Sequence, residues 1–153
     1  MGSILEDIRV GAEWIGTALR SSGYAADFSA SSLWEVDRFI DEHCSGGKPL
    51  AAGLLSEDFG KRVFALGSYV GEVIRRQRGG DWEASDSDPD AEINVALRLS
   101  DGSMCWPVQR VIKRIEAGSE DGIAAYGIGF GIEVGRPIRV AKAARKKPWW
   151  KVW

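Results

Sequence analysis

The hydrophobic and polar positions change period near residue 80 and change back near residue 107. Before the first change, apolar residues recur at intervals of three and four. Ile4, Ile8, Ala12, Ile15 and Leu19, with Trp14 nearby, predict a helix over 4–20, and Gly23 follows as a stop. A small, polar linker runs from Ser21 to Ala30. Leu33, Val36, Phe39 and Ile40 predict a second helix. Ser32 and Glu35 are spaced for a capping box at its start, and Gly46, Gly47 and Pro49 punctuate its end.

The longest periodic stretch, FGKRVFALGSYVGEVIRRQRGG from Phe59 to Gly80, predicts the central helix. Phe59, Val63, Leu66, Val70, Val73 and Ile74 form one stripe, which Phe64, Gly67, Gly71 and Tyr69 widen. Lys61, Ser68, Glu72 and Arg75 gather opposite. Two glycines inside a helix cost about 1 kcal/mol each relative to alanine, so Gly67 and Gly71 predict another element packed close on that side. Ser56, Glu57 and Asp58 have the chemistry of a helix start, and Gly79 and Gly80 close the far end.

After Gly80 the period becomes two. Trp82 and Ala84 predict a strand over 81–85, and Ile93, Val95, Leu97 and Leu99 predict a second over 91–100 with one buried face. Asp101-Gly102 signals a two-residue hairpin that pairs Leu99 with Met104 and Leu97 with Trp106, giving a third strand over 103–106. Pro107 suits the first position of a helix over 107–117, whose apolar face is Val108, Val111, Ile112 and Ile115 and which Gly118 stops. Ser119, Glu120 and Asp121 then predict a helix over 119–126. YGIGFGIEVG fits either a strand or a helix with glycines at spacing four. Its glycine content favours a helix to about Tyr126 and an extended or irregular stretch beyond. The predicted fold class is α+β: N-terminal helices and a central helix on a three-stranded antiparallel sheet, then C-terminal helices. Residues 1–135 form one domain, followed by a basic, Trp-rich tail over 136–153.

Composition changes this picture mainly through charge. The net charge of −2 hides a segregation, because Arg136–Trp153 holds seven of the 20 basic residues and none of the 22 acidic ones. The body is acidic and the tail basic. Two cysteines, Cys44 and Cys105, cannot build a disulfide framework and read as buried thiols. With no membrane-length apolar run and no signal-peptide pattern, the expected location is the cytoplasm.

Catalytic chemistry is sparsely supplied. His43 is the only histidine, so a Ser-His-Asp or Cys-His site would depend on it alone, and its position at the polar end of a helix predicts an exposed or capping role. Asp86, Asp88 and Asp90 mimic the first ligands of a calcium loop. Ala91 stands where that loop needs glycine, and Leu97 where it needs a bidentate glutamate, so no metal and no cofactor is expected. The glycines of YGIGFG lack the strand and helix that a dinucleotide loop requires. Two binding surfaces remain. The acidic residues Asp86, Asp88, Asp90 and Glu92 suit a basic protein partner. In the tail, Arg145, Lys146, Lys147, Trp149, Trp150, Lys151 and Trp153 either dock on the acidic body or meet nucleic acid or acidic lipid, where cations attract phosphate and indoles stack.

GSYVGEVI over 67–74, Gly79-Gly80-x-Trp82, and Pro107 through Val111, Lys113, Arg114 and Ile115 to Gly118 resemble a group of small uncharacterised bacterial domains. These carry a G-Y-x-G-E helix and a P…V-x-K-R-I-x-x-G helix, and the likeness covers about residues 56–127. The resemblance implies an α+β fold and a protein-binding role in the manner of immunity proteins. It also marks Gly67, Gly71, Glu72, Trp82, Pro107, Lys113 and Arg114 as structural, with Glu72 pairing Lys113 or Arg114 between helices. The expected function is a non-enzymatic protein-binding module, immunity or accessory in kind. Binding of an anionic surface through the tail is the alternative.

Overall fold

The computed structural model describes residues 3–137. Its order is α1 (Ile4–Ser21), α2 (Ser32–His43), a small hairpin β1 (Cys44–Ser45) and β2 (Lys48–Pro49), α3 (Phe59–Arg78), β3 (Gly80–Glu83), α4 (Ala91–Asn94), β4 (Ala96–Leu99), β5 (Met104–Cys105), α5 (Pro107–Ala117) and α6 (Ile123–Gly129). Strands β3, β4 and β5 form an antiparallel sheet in that order, so the fold is α+β. None of the described helices is long and apolar enough to cross a membrane.

Helix α3 is the axis of the core. Every residue from Val63 to Val70 is buried, as are Gly71, Val73 and Ile74, because α1 covers one side, α5 another, and the sheet lies at its C-terminal half. The two interior glycines are where neighbours come closest. A methyl group on Gly67 would stand 2.6 Å from the Cα of Val108, and one on Gly71 would stand 2.0 Å from the Trp82 ring. The predicted close approach is therefore made by α5 at Gly67 and by β3 at Gly71. Pro107 occupies the first turn of α5 as expected.

Polar groups inside the core tie distant segments together. The Tyr69 hydroxyl donates to Ser32 Oγ at 2.8 Å and accepts from the Phe28 N–H at 3.0 Å. Asp37 on α2 accepts from Arg114 Nε at 2.9 Å and from the N–H groups of Ile123 and Ala124 at 2.8 and 2.9 Å. One carboxylate thus neutralises a buried arginine and caps α6, whose first turn has orphan donors.

Several sequence expectations are corrected. Ala91–Asn94 is a helical turn, so the second strand is confined to Ala96–Leu99 and Ile93 is 45% exposed. The hairpin loop has three residues: Leu97 pairs with Cys105 and Arg98 with Met104, one position away from the predicted register. Gly102, at φ +89°, takes the left-handed bulge position that such a loop needs after a turn. Ser32 and Glu35 form no capping box. Ser32 instead bonds the Ser29 carbonyl, while Glu35 accepts from the Ala25 N–H and from Arg38. The side chains of Ser56 and Asp58 do not cap α3. Gly46 and Gly47 make the two-residue turn of β1–β2 rather than only ending a helix, both at positive φ. Residues Gly118–Asp121 are a 3-10 turn, and α6 starts at Ile123 and runs through Gly127 to Gly129. There a methyl on Gly127 would lie 2.6 Å from Leu33 Cδ1, so the glycine lets α6 close on α2.

The expected ion pair between Glu72 and Lys113 or Arg114 is not formed. Glu72 accepts from Arg75 at 2.7 and 3.0 Å and from the Trp82 indole N–H at 2.8 Å. Arg114 is 3% exposed and pairs with Asp37 and Asp41 of α2. Lys113 is exposed. His43 is also not exposed: it is fully buried, stacked on Phe39 with ring centroids 4.2 Å apart, and its Nδ1 accepts from the Leu54 N–H at 3.2 Å.

Candidate functional site

The N-terminal turns of α1 and α3 run side by side, and the loop from Ala84 to Val95 folds back over them. The Asp86 carboxylate accepts from the N–H of Ile4 at 2.7 Å, satisfying one orphan donor at the start of α1 and pinning the loop there. Asp88 stiffens the loop from within. It accepts from the Asp90 N–H at 2.8 Å and from Asn94 Nδ2 at 3.0 Å, and the Asn94 bond holds its carboxyl below the usual aspartate range.

Between these elements lies a cleft of about 680 Å³ with an apolar floor that includes Phe59, Val63, Phe64, Val108 and Ile112. Its walls carry Asp7, Asp86, Asp88, Asp90 and Glu92 and, among the described residues, no basic side chain. A second cleft of about 590 Å³ shares Asp7, Phe64 and Glu92 with the first and continues along α1 past Val10 and Trp14, with Asp58, Lys61 and Arg62 at its edge. The two make one groove. Arg62 is already engaged, donating to the Leu54 carbonyl and lying over the Trp14 ring.

All four predicted acidic contacts, Asp86, Asp88, Asp90 and Glu92, are brought to this groove. They divide into two kinds. Asp86 and Asp88 use their oxygens within the protein, whereas the side chains of Asp7, Asp58, Asp90 and Glu92 make no hydrogen bond or ion pair with described residues. Seven large hydrophobic side chains are exposed among the described residues, and four of them, Val10, Trp14, Phe59 and Ile93, line the groove. Sequence reading placed Phe59 and Ile93 in the core and overlooked Asp7 and Val10. The signal was present in α1, where Val10 and Trp14 stand four apart, off the buried stripe of Ile4, Ile8, Ala12, Ile15 and Leu19.

Other reactive groups lie elsewhere and are held inert. Burial pushes the thiols of Cys44 and Cys105 up to about 11, so both are protonated at neutral pH. Burial raises Glu72, but the hydrogen bonds from Arg75 and Trp82 more than offset it and the net shift is downward. Among the described residues, no group of three or more His, Cys, Asp or Glu is arranged to hold a metal ion. The tail residues Arg145, Lys146, Lys147, Trp149, Trp150, Lys151 and Trp153 lie outside the described residues. Compared with protein-family models, curated proteins and solved structures, the chain matches none.

Proposed function

We propose that the protein is a non-enzymatic protein-binding module whose groove receives a basic segment of a partner, in the manner of an immunity or accessory protein. The observation that carries this reading is the coincidence of exposed apolar side chains with unpaired carboxylates in one groove. Carboxylates on the rim speed encounter with a cationic partner and exclude acidic ones, while the apolar floor supplies the affinity. A rimmed apolar patch of this kind is typical of an interaction surface. The matching ligand has lysines or arginines flanking one or two large apolar side chains. Asp7, Asp90 and Glu92 would meet the cations, and Phe59, Ile93 and Val10 the apolar anchors.

A photo-reactive phenylalanine analogue placed at Val10 or Ile93 in cells tests this, with Glu133, exposed and away from the groove, as the control position. The expected result is a discrete protein adduct from the groove positions alone, cross-linked through a Lys/Arg-rich peptide and lost on Asp90→Lys/Glu92→Lys. The same adduct from position 133, or adducts indifferent to charge reversal, would sink the reading. Salt-sensitive binding of the full chain to nucleic acid or acidic vesicles, abolished by neutralising Arg145, Lys146, Lys147 and Lys151, would instead favour the tail as the functional surface.

A further inference from the structure

We propose that in the free protein the groove is occupied by the chain's own segment 138–153, which an external basic partner must displace. This rests on the groove being a site for basic, apolar segments, and it adds which segment sits there first. Three observations support it.

Charge is the first. Residues 138–153 contain Arg139, Lys142, Arg145, Lys146, Lys147 and Lys151 and no acid, while the described residues give the first cleft five carboxylates and no base. Chemistry is the second. Trp149, Trp150 and Trp153 are interleaved with those cations, the same combination the groove was argued to accept: large apolar groups for the floor and cations for Asp7, Asp90 and Glu92. Reach is the third. The described chain ends at Pro137 beside Trp34 and Asp41, and sixteen residues follow. Extended, they span up to about 50 Å. A domain of this length has a radius of gyration of about 15 Å, so the extended segment is longer than the domain is wide.

Tethering makes a weak contact sufficient. A linker this short gives an effective concentration of about 1 mM, so an intrinsic dissociation constant of about 0.1 mM would keep the groove closed about ten to one. An outside ligand would then bind about tenfold more weakly than to an unoccupied groove.

The test uses the full chain. Zero-length carbodiimide coupling joins carboxylates to lysines in contact, and the linked peptides are read by mass spectrometry on the monomer fraction. The expected links join Lys142, Lys146, Lys147 or Lys151 to Asp7, Asp90 or Glu92. Their yield should not change over a tenfold range of protein concentration and should fall several-fold in 1 M salt. A second measurement uses Asp7→Asn/Asp90→Asn/Glu92→Gln, side chains that bond nothing in the described structure. Trypsin should cut this variant after residues 142–151 several-fold faster than the wild type, with a melting temperature lower by no more than the few degrees that loss of a ten-to-one contact implies. Links confined to dimers, links spread over remote acids such as Asp41 and Glu133, or unaltered tryptic rates would each overturn the inference. If the photo-adducts at Val10 and Ile93 appear while no tail link forms, the groove stands as a partner site and only the tail's occupancy falls. Tail links without any partner adduct would have the opposite meaning.

Discussion

Gly67→Ala is a direct measure of how tightly α5 is seated on α3. In a solvated helix the change would stabilise the protein by about 1 kcal/mol, because alanine loses less backbone entropy. Here the new methyl would lie 2.6 Å from Val108 Cα and 2.9 Å from its backbone nitrogen, against an ordinary carbon–carbon contact of about 3.5–4.0 Å. A flexible side chain could swing away, but a helix backbone cannot. The two helices must separate by about 1 Å, losing contacts along the interface that includes Val108 and Val111. Overpacking costs about 1–3 kcal/mol, and a backbone obstacle belongs at the upper end. After the propensity gain, the net destabilisation should be about 2 kcal/mol, or a fall in melting temperature of about 4–8 °C for a chain of this size. Gly60→Ala is the internal control, since it lies in the same helix with no atom within 4 Å of the added carbon. It should be neutral or stabilising by up to about 1 kcal/mol. Urea denaturation of both variants, read by circular dichroism at 222 nm, decides the matter. A Gly67→Ala protein as stable as the wild type, or a Gly60→Ala protein equally damaged, would refute the packing described.

Asp37→Ala should cost about 3–5 kcal/mol in urea denaturation, since it strips a partner from the buried Arg114 and the cap from α6; a loss below 1 kcal/mol would show that Asp41 alone suffices. Glu72→Gln should cost about 1–2 kcal/mol at pH 7, a figure reduced because Arg75 is partly exposed. The Glu72 carboxyl is lowered in the folded state, so its stabilisation is complete above the unfolded glutamate value of about 4.3 and is lost as pH falls through the lower folded value. The gap between Glu72→Gln and wild type should therefore narrow below about pH 4, and a gap that widens in acid would contradict the assignment.

The helices were legible because their apolar stripes are periodic: that of α1 is buried as expected, and that of α3 is buried except for Phe59, although α3 is enclosed all round from Val63 to Val70 and Ser68, expected on its polar face, is buried with the rest. The sheet was less so. The alternation from Ile93 to Leu99 crosses an element boundary, since Asp90 and the turn after Pro89 open a short helix that carries Ile93 out to solvent while Val95, Leu97 and Leu99 stay buried. The Asp-Gly pair located the hairpin but not its loop length, and one added residue shifted the register. Charge pairing was illegible for another reason. Glu72 has arginines three and four residues away, and local bonds of that kind compete with any long-range partner that the sequence suggests. Asp37 and Asp41 do share a face of α2, but nothing local says that Arg114 will meet it. The groove needed the pairing of α1 with α3, whose starts are more than fifty residues apart, so its four acids could be named without Asp7 or the apolar floor.

The hydrogen bond from Ile4 to Asp86 joins residues 82 positions apart, and the groove is assembled around it. No fragment holding only α1 or only the loop contains the site, so recognition is coupled to the cooperative folding of the whole chain. Ligand binding and global stability are then thermodynamically linked. A ligand at a hundred times its dissociation constant would raise the unfolding free energy by about 2.7 kcal/mol. Hydrogen exchange of the slowest core amides, such as those of Leu66 and Val70, would slow by about a hundredfold, although they lie on α3 beyond the ligand's reach. A screen for partners therefore needs no knowledge of what binds, only a thermal or exchange readout of the buried helix.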